Sequence, residues 1–434
     1  MSDSPSNRVP SNRAAAIGNM AWLLGDKALA LVAGLAIFGL IARTLGPTGS
    51  GHFAYAAAML QTGLGLSLVC AGVALLPRFC RIGSAVPGAM ANVFVLRMLA
   101  SLLAMLVMMI FCVVTIKDPQ RRTVTMILLA AIPLIEPFYI IATYWLSRNY
   151  NKPTVIARSS GLLVRAAVVG AGVWWGAPVW VMAAAWVLEA SVNAGLQTLQ
   201  ARGEFPQLRL SRAVRVSRMK QYLRFGLRFV PALWLSQLFL RMDRLVLAEW
   251  LTPHDFGIYA APMQLVEVWA QVAYLIGSSI ATAYLYRRMR EDTVVRAFLI
   301  TAVSMAGIGL LGLLGAWLIG PLLLSLVFGS QFSGSAVFLL AGSAFAVLLF
   351  ADQAVDMLIL ANNLPWLLTV KWGVALFVAL LVFWRGFAEL GAMVGPVGLA
   401  SGVATGWLAL LLIHVVRARR VRAAGLSASL KDGS

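Results

Sequence analysis

Apolar runs long enough to cross a bilayer fill this chain and leave few folds open to it. A crossing helix needs about 20 predominantly apolar residues, and the sequence holds about twelve such windows. They run roughly over 19–42, 52–76, 89–116, 123–146, 154–176 and 178–200, then over 222–250, 257–285, 294–319, 334–360, 365–385 and 391–416. At Ile319-Gly320-Pro321 the ninth window either ends or kinks. Composition agrees: 61% of the 434 residues are hydrophobic and 12% are charged, against about 25% charged in soluble domains. The expected fold class is all-α, a polytopic membrane protein.

One polar interruption divides the windows six and six. Residues 201–222 carry Arg202, Arg209, Arg212, Arg215, Arg218 and Lys220 against the single acid Glu204. The expected organisation is a tail over 1–18, a six-helix lobe over 19–200, a basic linker over 201–221, a second six-helix lobe over 222–416 and a basic tail over 417–434. Cationic loops stay on the cytoplasmic side. With the N-terminus inside, that side collects Arg8, Arg13, Arg78, Arg81, Arg148, Lys152, the linker, Arg287, Arg288, Arg290 and the residues from Arg417 to Lys431. The other side holds Arg43, Lys117, Arg121, Arg122 and Arg385. Both termini are therefore expected to be cytoplasmic. The linker is either a topology signal alone or also a grip on anionic lipid headgroups.

Other classes fit poorly. A net charge of +19 suggests nucleic acid, but the cations concentrate in loops on one expected side, so no nucleic-acid partner is expected. Cys70, Cys80 and Cys112 lack paired spacing, and His52, His254 and His414 are isolated at window ends, so neither a disulfide framework nor a metal site is indicated. No phosphate-cradling loop or other enzyme signature is present, and no cofactor is implied. Residues 1–17 lack the pattern of a cleavable signal peptide.

The two halves share a phrase. Ala42-Arg-Thr-Leu45-Gly-Pro47-Thr-Gly-Ser-Gly51-His-Phe53-Ala54 is matched by Ala248-Glu-Trp-Leu251-Thr-Pro253-His-Asp-Phe-Gly257-Ile-Tyr259-Ala260. Leu, Pro, Gly, an aromatic and Ala recur at one fixed offset. An offset spanning six crossings is even, so the lobes would be parallel repeats about an axis along the membrane normal. Gly391-x-x-x-Gly395 and Gly398-x-x-x-Gly402-x-x-x-Gly406 put small residues on one helix face, which lets helices approach closely.

These phrases carry a family resemblance. With Gly18-Asn19, Asp243-Arg244-Leu, Phe328-Gly329-Ser-Gln-Phe332 and the helix start at Gly391–Ala400, the chain from about 15 to 416 resembles the polysaccharide transporters, or oligosaccharide flippases. These belong to the multidrug/oligosaccharidyl-lipid/polysaccharide exporter superfamily. The lipid II flippase branch carries an Arg-Asp pair where this chain has Ile37 and Phe38. The resemblance implies a flippase for a polyprenyl-diphosphate-linked oligosaccharide (an O-antigen, capsule or exopolysaccharide unit). It would be a multi-pass protein of the bacterial inner membrane, working by alternating access, with a polysaccharide polymerase as a further partner. The rivals are a cation-coupled drug or small-molecule exporter of the same superfamily and a membrane glycosyltransferase or ligase.

Charges within spans cost a few kcal/mol each and normally face a cavity or a partner. Arg158, Arg224 and Lys371 lie where they could snorkel to a surface. Asp243 between Arg241 and Arg244 suggests a local ion pair. Arg165 sits about 16 Å into its span at 1.5 Å per residue, and it follows Arg158 by seven residues, on the same face. Arginine suits a diphosphate through charge-assisted, often bidentate bonds. For the implied substrate, the candidate contacts are Arg165, Arg97, Lys27, Arg228 and Arg241. Glu136, Glu189, Asp352 and Asp356 are candidates for ion coupling or a hinge. Glu136 is bracketed by Pro133 and Pro137, which favours a bend. It marks a hinge, a cation or proton site, or the partner of a nearby arginine.

Overall fold

The computed structural model describes residues 13–70, 72–82, 85–207, 213–277, 294–362 and 364–431. Arg8, Arg209, Arg212, Arg287, Arg288 and Arg290 lie outside the described residues. Among the described residues the chain is helical throughout, with no strand. It is an all-α, polytopic membrane protein.

The first half comprises α1 (Arg13–Leu66), α2 (Gly72–Ile82), α3 (Val86–Thr115), α4 (Pro119–Leu129), α5 (Ile132–Ile135), α6 (Tyr139–Ser147), α7 (Lys152–Trp174) and α8 (Val179–Glu204). The second comprises α9 (Val216–Gly226), α10 (Val230–Phe239), α11 (Met242–Trp250), α12 (Pro253–Ile276), α13 (Val294–Phe328), α14 (Ala336–Ala361), α15 (Pro365–Leu390) and α16 (Val394–Lys431). Eight helical stretches among the described residues are long and apolar enough to cross a membrane. Two of them, Gly25–Leu66 and Pro365–Val416, each cover two of the expected windows. The seventh and eighth windows fall on α9 to α12.

The breaks have local causes. Gly46 (φ 66°) kinks α1, and Gly391 (φ 53°) separates α15 from α16; this left-handed backbone is cheap only without a Cβ. Asp118 caps α4, its Oδ1 accepting from the backbone N–H groups of Gln120 and Arg121. Between α5 and α6 the helical hydrogen-bond ladder is interrupted over 136–138, where Pro137 has no N–H to donate, while Glu136 and Phe138 keep helical φ/ψ. Pro321 lies inside α13, which continues unbroken to Phe328.

Two windows read differently in three dimensions. The second ends at Leu66, and the chain restarts as the amphipathic α2, with Leu75 and Phe79 buried and Cys80 and Arg81 exposed. The seventh is a succession of short helices, α9, α10 and α11.

The chain separates into two compact units. One comprises Met1–Val230, Arg244–Leu265 and Pro321–Ser335; the other comprises Pro231–Asp243, Val266–Gly320 and Ala336–Ser434. In the first, a core of Cys70, Leu75, Phe79, Val93, Tyr144, Trp145 and Tyr222 joins α2, α3, α6 and α9. Asn92, fully buried, fixes the end of the basic connector: its Nδ2 donates to Ala213 O and its Oδ1 accepts from Arg215 N.

The repeated phrases meet in this first unit. A Cβ at Gly51 would lie 2.7 Å from the Pro253 carbonyl oxygen, and one at Gly257 would overlap the Pro47 carbonyl oxygen. Pro47 corresponds to Pro253, and Gly51 to Gly257. Each glycine therefore packs on the other phrase's proline, the reciprocity expected of a two-fold contact. Arg43 adds a bond from Nε to Val327 O at 3.0 Å. Arg121 adds one to Ala248 O at 2.7 Å and an ion pair with Glu249 at 2.6 Å.

In the second unit the small face of α16 lies on α15. Cβ atoms at Gly398, Gly402 and Gly406 would press on Phe383, Ala375 O and Lys371 respectively. The pattern read from sequence as a close-packing face is one.

Candidate functional site

The first unit holds a polar cluster within its spans, built on α7. Arg158, Gly161 and Arg165 fall on one face of that helix at spacings of three and four. At Gly161 no side chain intervenes, and the α8 backbone at Glu189 comes so near that a Cβ would lie 2.8 Å from Glu189 O. That approach sets the Glu189 carboxylate beside both arginines. Arg165 Nη1 donates to Glu189 Oε2 at 2.7 Å, and Glu189 also feels the charge of Arg158.

Arg158 in turn donates to Asp26 Oδ2 at 2.9 Å. Lys27, partly buried, lies within electrostatic reach of Arg158 and Asp26. The Arg165 guanidinium stacks 4.4 Å over the Trp186 ring. Three cations, Lys27, Arg158 and Arg165, thus stand against two carboxylates, Asp26 and Glu189. Arg165 Nε is buried with no hydrogen-bond partner among the described residues. A surplus positive charge and a buried guanidinium N–H without a partner favour a negative charge beside them.

Arg97 and Glu136 form a separate, closed arrangement. Arg97 is 1% exposed. Its Nε donates to Cys70 O at 3.1 Å, its Nη2 to the same oxygen, and its Nη1 lies 3.2 Å from Glu136 Oε1. The guanidinium therefore holds the carbonyl where the chain leaves helical geometry after Leu66. Arg97 is enclosed where an opening toward substrate was expected. Glu136 sits at a break in the helical hydrogen-bond ladder and pairs with an arginine.

The second unit carries a different cluster. Lys371 Nζ on α15 donates to both oxygens of Asp352 on α14, at 2.8 and 2.7 Å, and to Asp356 Oδ1 one turn further along. Trp407 Nε1 on α16 donates to Asp352 Oδ1 at 2.7 Å. The Lys371 ammonium also lies 4.1 Å from the Trp372 ring centroid. Lys371 does not snorkel: it is 1% exposed. In the same unit Arg241 reaches Glu267, a partner from α12, at 2.5 Å. Arg228, in the first unit, is exposed.

A family model described as polysaccharide biosynthesis protein matches residues 17–281, more than half of the 434-residue chain. The chain belongs to that family. No curated protein matches it by sequence. Solved structures share the fold of this chain at low identity. The eukaryotic MATE transporter AtDTX14 is 14% identical, with TM-score 0.66, covering 92% of this chain and 95% of its own. The lipid II flippase MurJ, in an inward closed conformation, is 13% identical, with TM-score 0.65, covering 91% and 87%. An inward-facing multidrug resistance MATE family transporter of the MOP superfamily is 16% identical, with TM-score 0.63, covering 94% and 99%.

Three charged members of these clusters, Arg158, Lys371 and Asp26, are not among the site candidates that the sequence offers. From sequence, Arg158 and Lys371 lie where they could reach a surface. The seven-residue spacing of Arg158 and Arg165, and the i, i+4 spacing of Asp352 and Asp356, were the signals that each had buried company. Asp26 was visible only as a charge within a span, since nothing in sequence joins residue 26 to residue 158.

Proposed function

We propose that the protein is a flippase carrying a polyprenyl-diphosphate-linked oligosaccharide across a bacterial inner membrane, with both termini cytoplasmic. The observation that carries this reading is the intramembrane cluster of Lys27, Arg158 and Arg165, one charge in excess of its carboxylates, with Arg165 Nε unspent. Family membership supports the glycan part of the substrate. An anionic head cannot cross hydrocarbon unaided. A cationic patch within spans offers it charge-assisted hydrogen bonds, which contribute roughly 1.5–3 kcal/mol each. The polyprenyl tail would stay in lipid while the sugars and diphosphate cross beside this patch, in an alternating-access cycle. The exposed cations Arg218, Lys220 and Arg224 of α9 and Arg81 of α2 suit contact with anionic headgroups on the cytoplasmic face.

The deciding experiment uses proteoliposomes carrying labelled lipid-linked glycan on one leaflet. The expected result is transfer to the opposite leaflet without chemical change. A chemically altered glycan would establish a transferase. Export of a small cationic compound in place of the lipid would establish the drug-exporter reading, which the fold shared with MATE transporters favours. Orientation is read separately: a cysteine replacing His254 should label only from outside, and one replacing Arg419 only from the cytoplasm.

A further inference from the structure

We infer that Lys371, Asp352 and Asp356 form a single-proton exchange site, with Asp356 the group that takes up and releases the proton. Asp352 and Asp356 stand one helical turn apart on α14, on the same face, and both meet the one ammonium of Lys371. A single ammonium cancels one carboxylate. With both acids ionised, the cluster holds a surplus negative charge inside a membrane-spanning helix, where an uncompensated charge is disfavoured. One bound proton makes it neutral.

The geometry says which acid holds that proton. Asp352 is engaged from two sides: both oxygens accept from Lys371, and Oδ1 also accepts from the Trp407 indole. Those bonds need acceptors only, so they favour the ionised form. Asp356 meets Lys371 through Oδ1 alone, which leaves Oδ2 to carry a proton. The Lys371 side chain is 2% exposed and that of Asp352 1%, while that of Asp356 is 21% exposed. Asp356 is the member a proton can reach.

Among the described residues, no further ion is in contact with the cluster. From α15 the cluster sees Lys371 and the Trp372 ring; from α16, the Trp407 indole and the glycine at 406 against Lys371. The helices packed elsewhere on α14 bring Trp269 and Ala273 from α12 and Met305 and Gly309 from α13. Arg241, in the same unit, pairs with Glu267 on α12. A metal cation is not the fitting ligand, because the ammonium already occupies the position between the two carboxylates. In the exchange step the Asp356 carboxylate accepts a proton from water and later returns it; Lys371 keeps its charge throughout.

The site can be tested without any transported substrate. Infrared difference spectra of the full-length protein in bilayers, taken between acid and alkaline pH in H2O and D2O, read a protonated carboxyl directly. The wild type should show a deuteration-sensitive carboxyl band, Asp356→Asn should lose it, and Asp356→Glu should keep one. Absence of the band in the wild type, or its persistence in Asp356→Asn, overturns the assignment. Asparagine imitates the protonated acid, so Asp356→Asn should also fold and insert normally; failure to fold would equally overturn it. Coupling of this proton to transport rests on the proposed flippase activity. There, an imposed pH gradient should stimulate wild-type flipping, and Asp356→Asn should lose that stimulation while keeping flipping without a gradient. If the band is present but no lipid is flipped, the flippase reading fails and the proton site stands.

Discussion

The two units each hold a polar cluster inside the membrane, and the clusters are opposite in sign and in access. In the first, Lys27, Arg158 and Arg165 outnumber Asp26 and Glu189 by one charge, and the side chains of Arg158 and Glu189 are 28% and 25% exposed. In the second, Asp352 and Asp356 outnumber Lys371 by one, and two of the three side chains are sealed. A partly open surplus of cations suits a visiting anion. A closed surplus of anion suits a proton, the one cation that needs no space. The same raw material, intramembrane salt bridges, is thus turned to different chemistry by which charge is left over and whether anything can reach it.

The largest effect that would break this contrast is expected at Lys371. Lys371→Met leaves two facing carboxylates without a cation, and losing one partner of a buried pair costs roughly 3–5 kcal/mol. The variant should show a sharply lowered unfolding temperature in detergent. Restoring stability with Asp352→Asn in the same chain would establish that the loss came from charge. A Lys371→Met protein as stable as the wild type would mean the cluster is not the sealed ion site described above.

Next in size is Arg165. Arg165→Ala should lower the flipping rate about ten- to a hundredfold, the worth of one charge-assisted hydrogen bond, while the protein still inserts. Lysine should rescue in part, keeping the charge but losing the planar fork, and glutamate should do worst. The pair with Glu189 offers the competing explanation, a purely structural role. Arg165→Ala with Glu189→Ala separates them: recovery of stability without flipping supports an anion contact, whereas recovery of both makes Arg165 a structural partner only.

Smaller effects are expected at the tight helix contacts, which both units use. Gly257→Ala would push a methyl group into the Pro47 carbonyl, and Gly402→Ala would meet Ala375 O and the Phe239 ring. Overpacking of this kind costs about 1–3 kcal/mol, read as a fall in unfolding temperature. If the Gly257 contact is reciprocal, Gly51→Ala should act in the same direction. An unchanged unfolding temperature in both glycine variants would remove the two-fold seam from the account.

The smallest effect is expected at Asp118, outside the spans. Burial opposes its charge, but the backbone N–H groups of Arg121 and Gln120 outweigh that and hold its carboxyl below the usual range. A depressed value places the stabilisation above the unfolded pKa of about 3.9, and it is lost as pH falls through the folded value. Asp118→Ala should remove the cap of α4 at a cost of about 1 kcal/mol, with no change in flipping at neutral pH.

The sequence by itself determined the all-α class, about twelve windows, the prolines around Glu136 that break a helix, and the small face of α16. All of these rest on residues close together in the chain, where hydropathy, missing N–H groups and helical spacing act locally. Tertiary structure alone decided which charges keep company. Asp26 meets Arg158 across 132 positions, and Trp407 meets Asp352 across 55. Lys371, near the start of its window, looked able to reach a surface until α14 and α16 enclosed it. The repeated phrases lay between the two readings. Their likeness was legible as letters at a fixed offset. That Gly51 packs on Pro253 and Gly257 on Pro47 was not, because a contact between two loop-to-helix turns depends on the path of every helix between them.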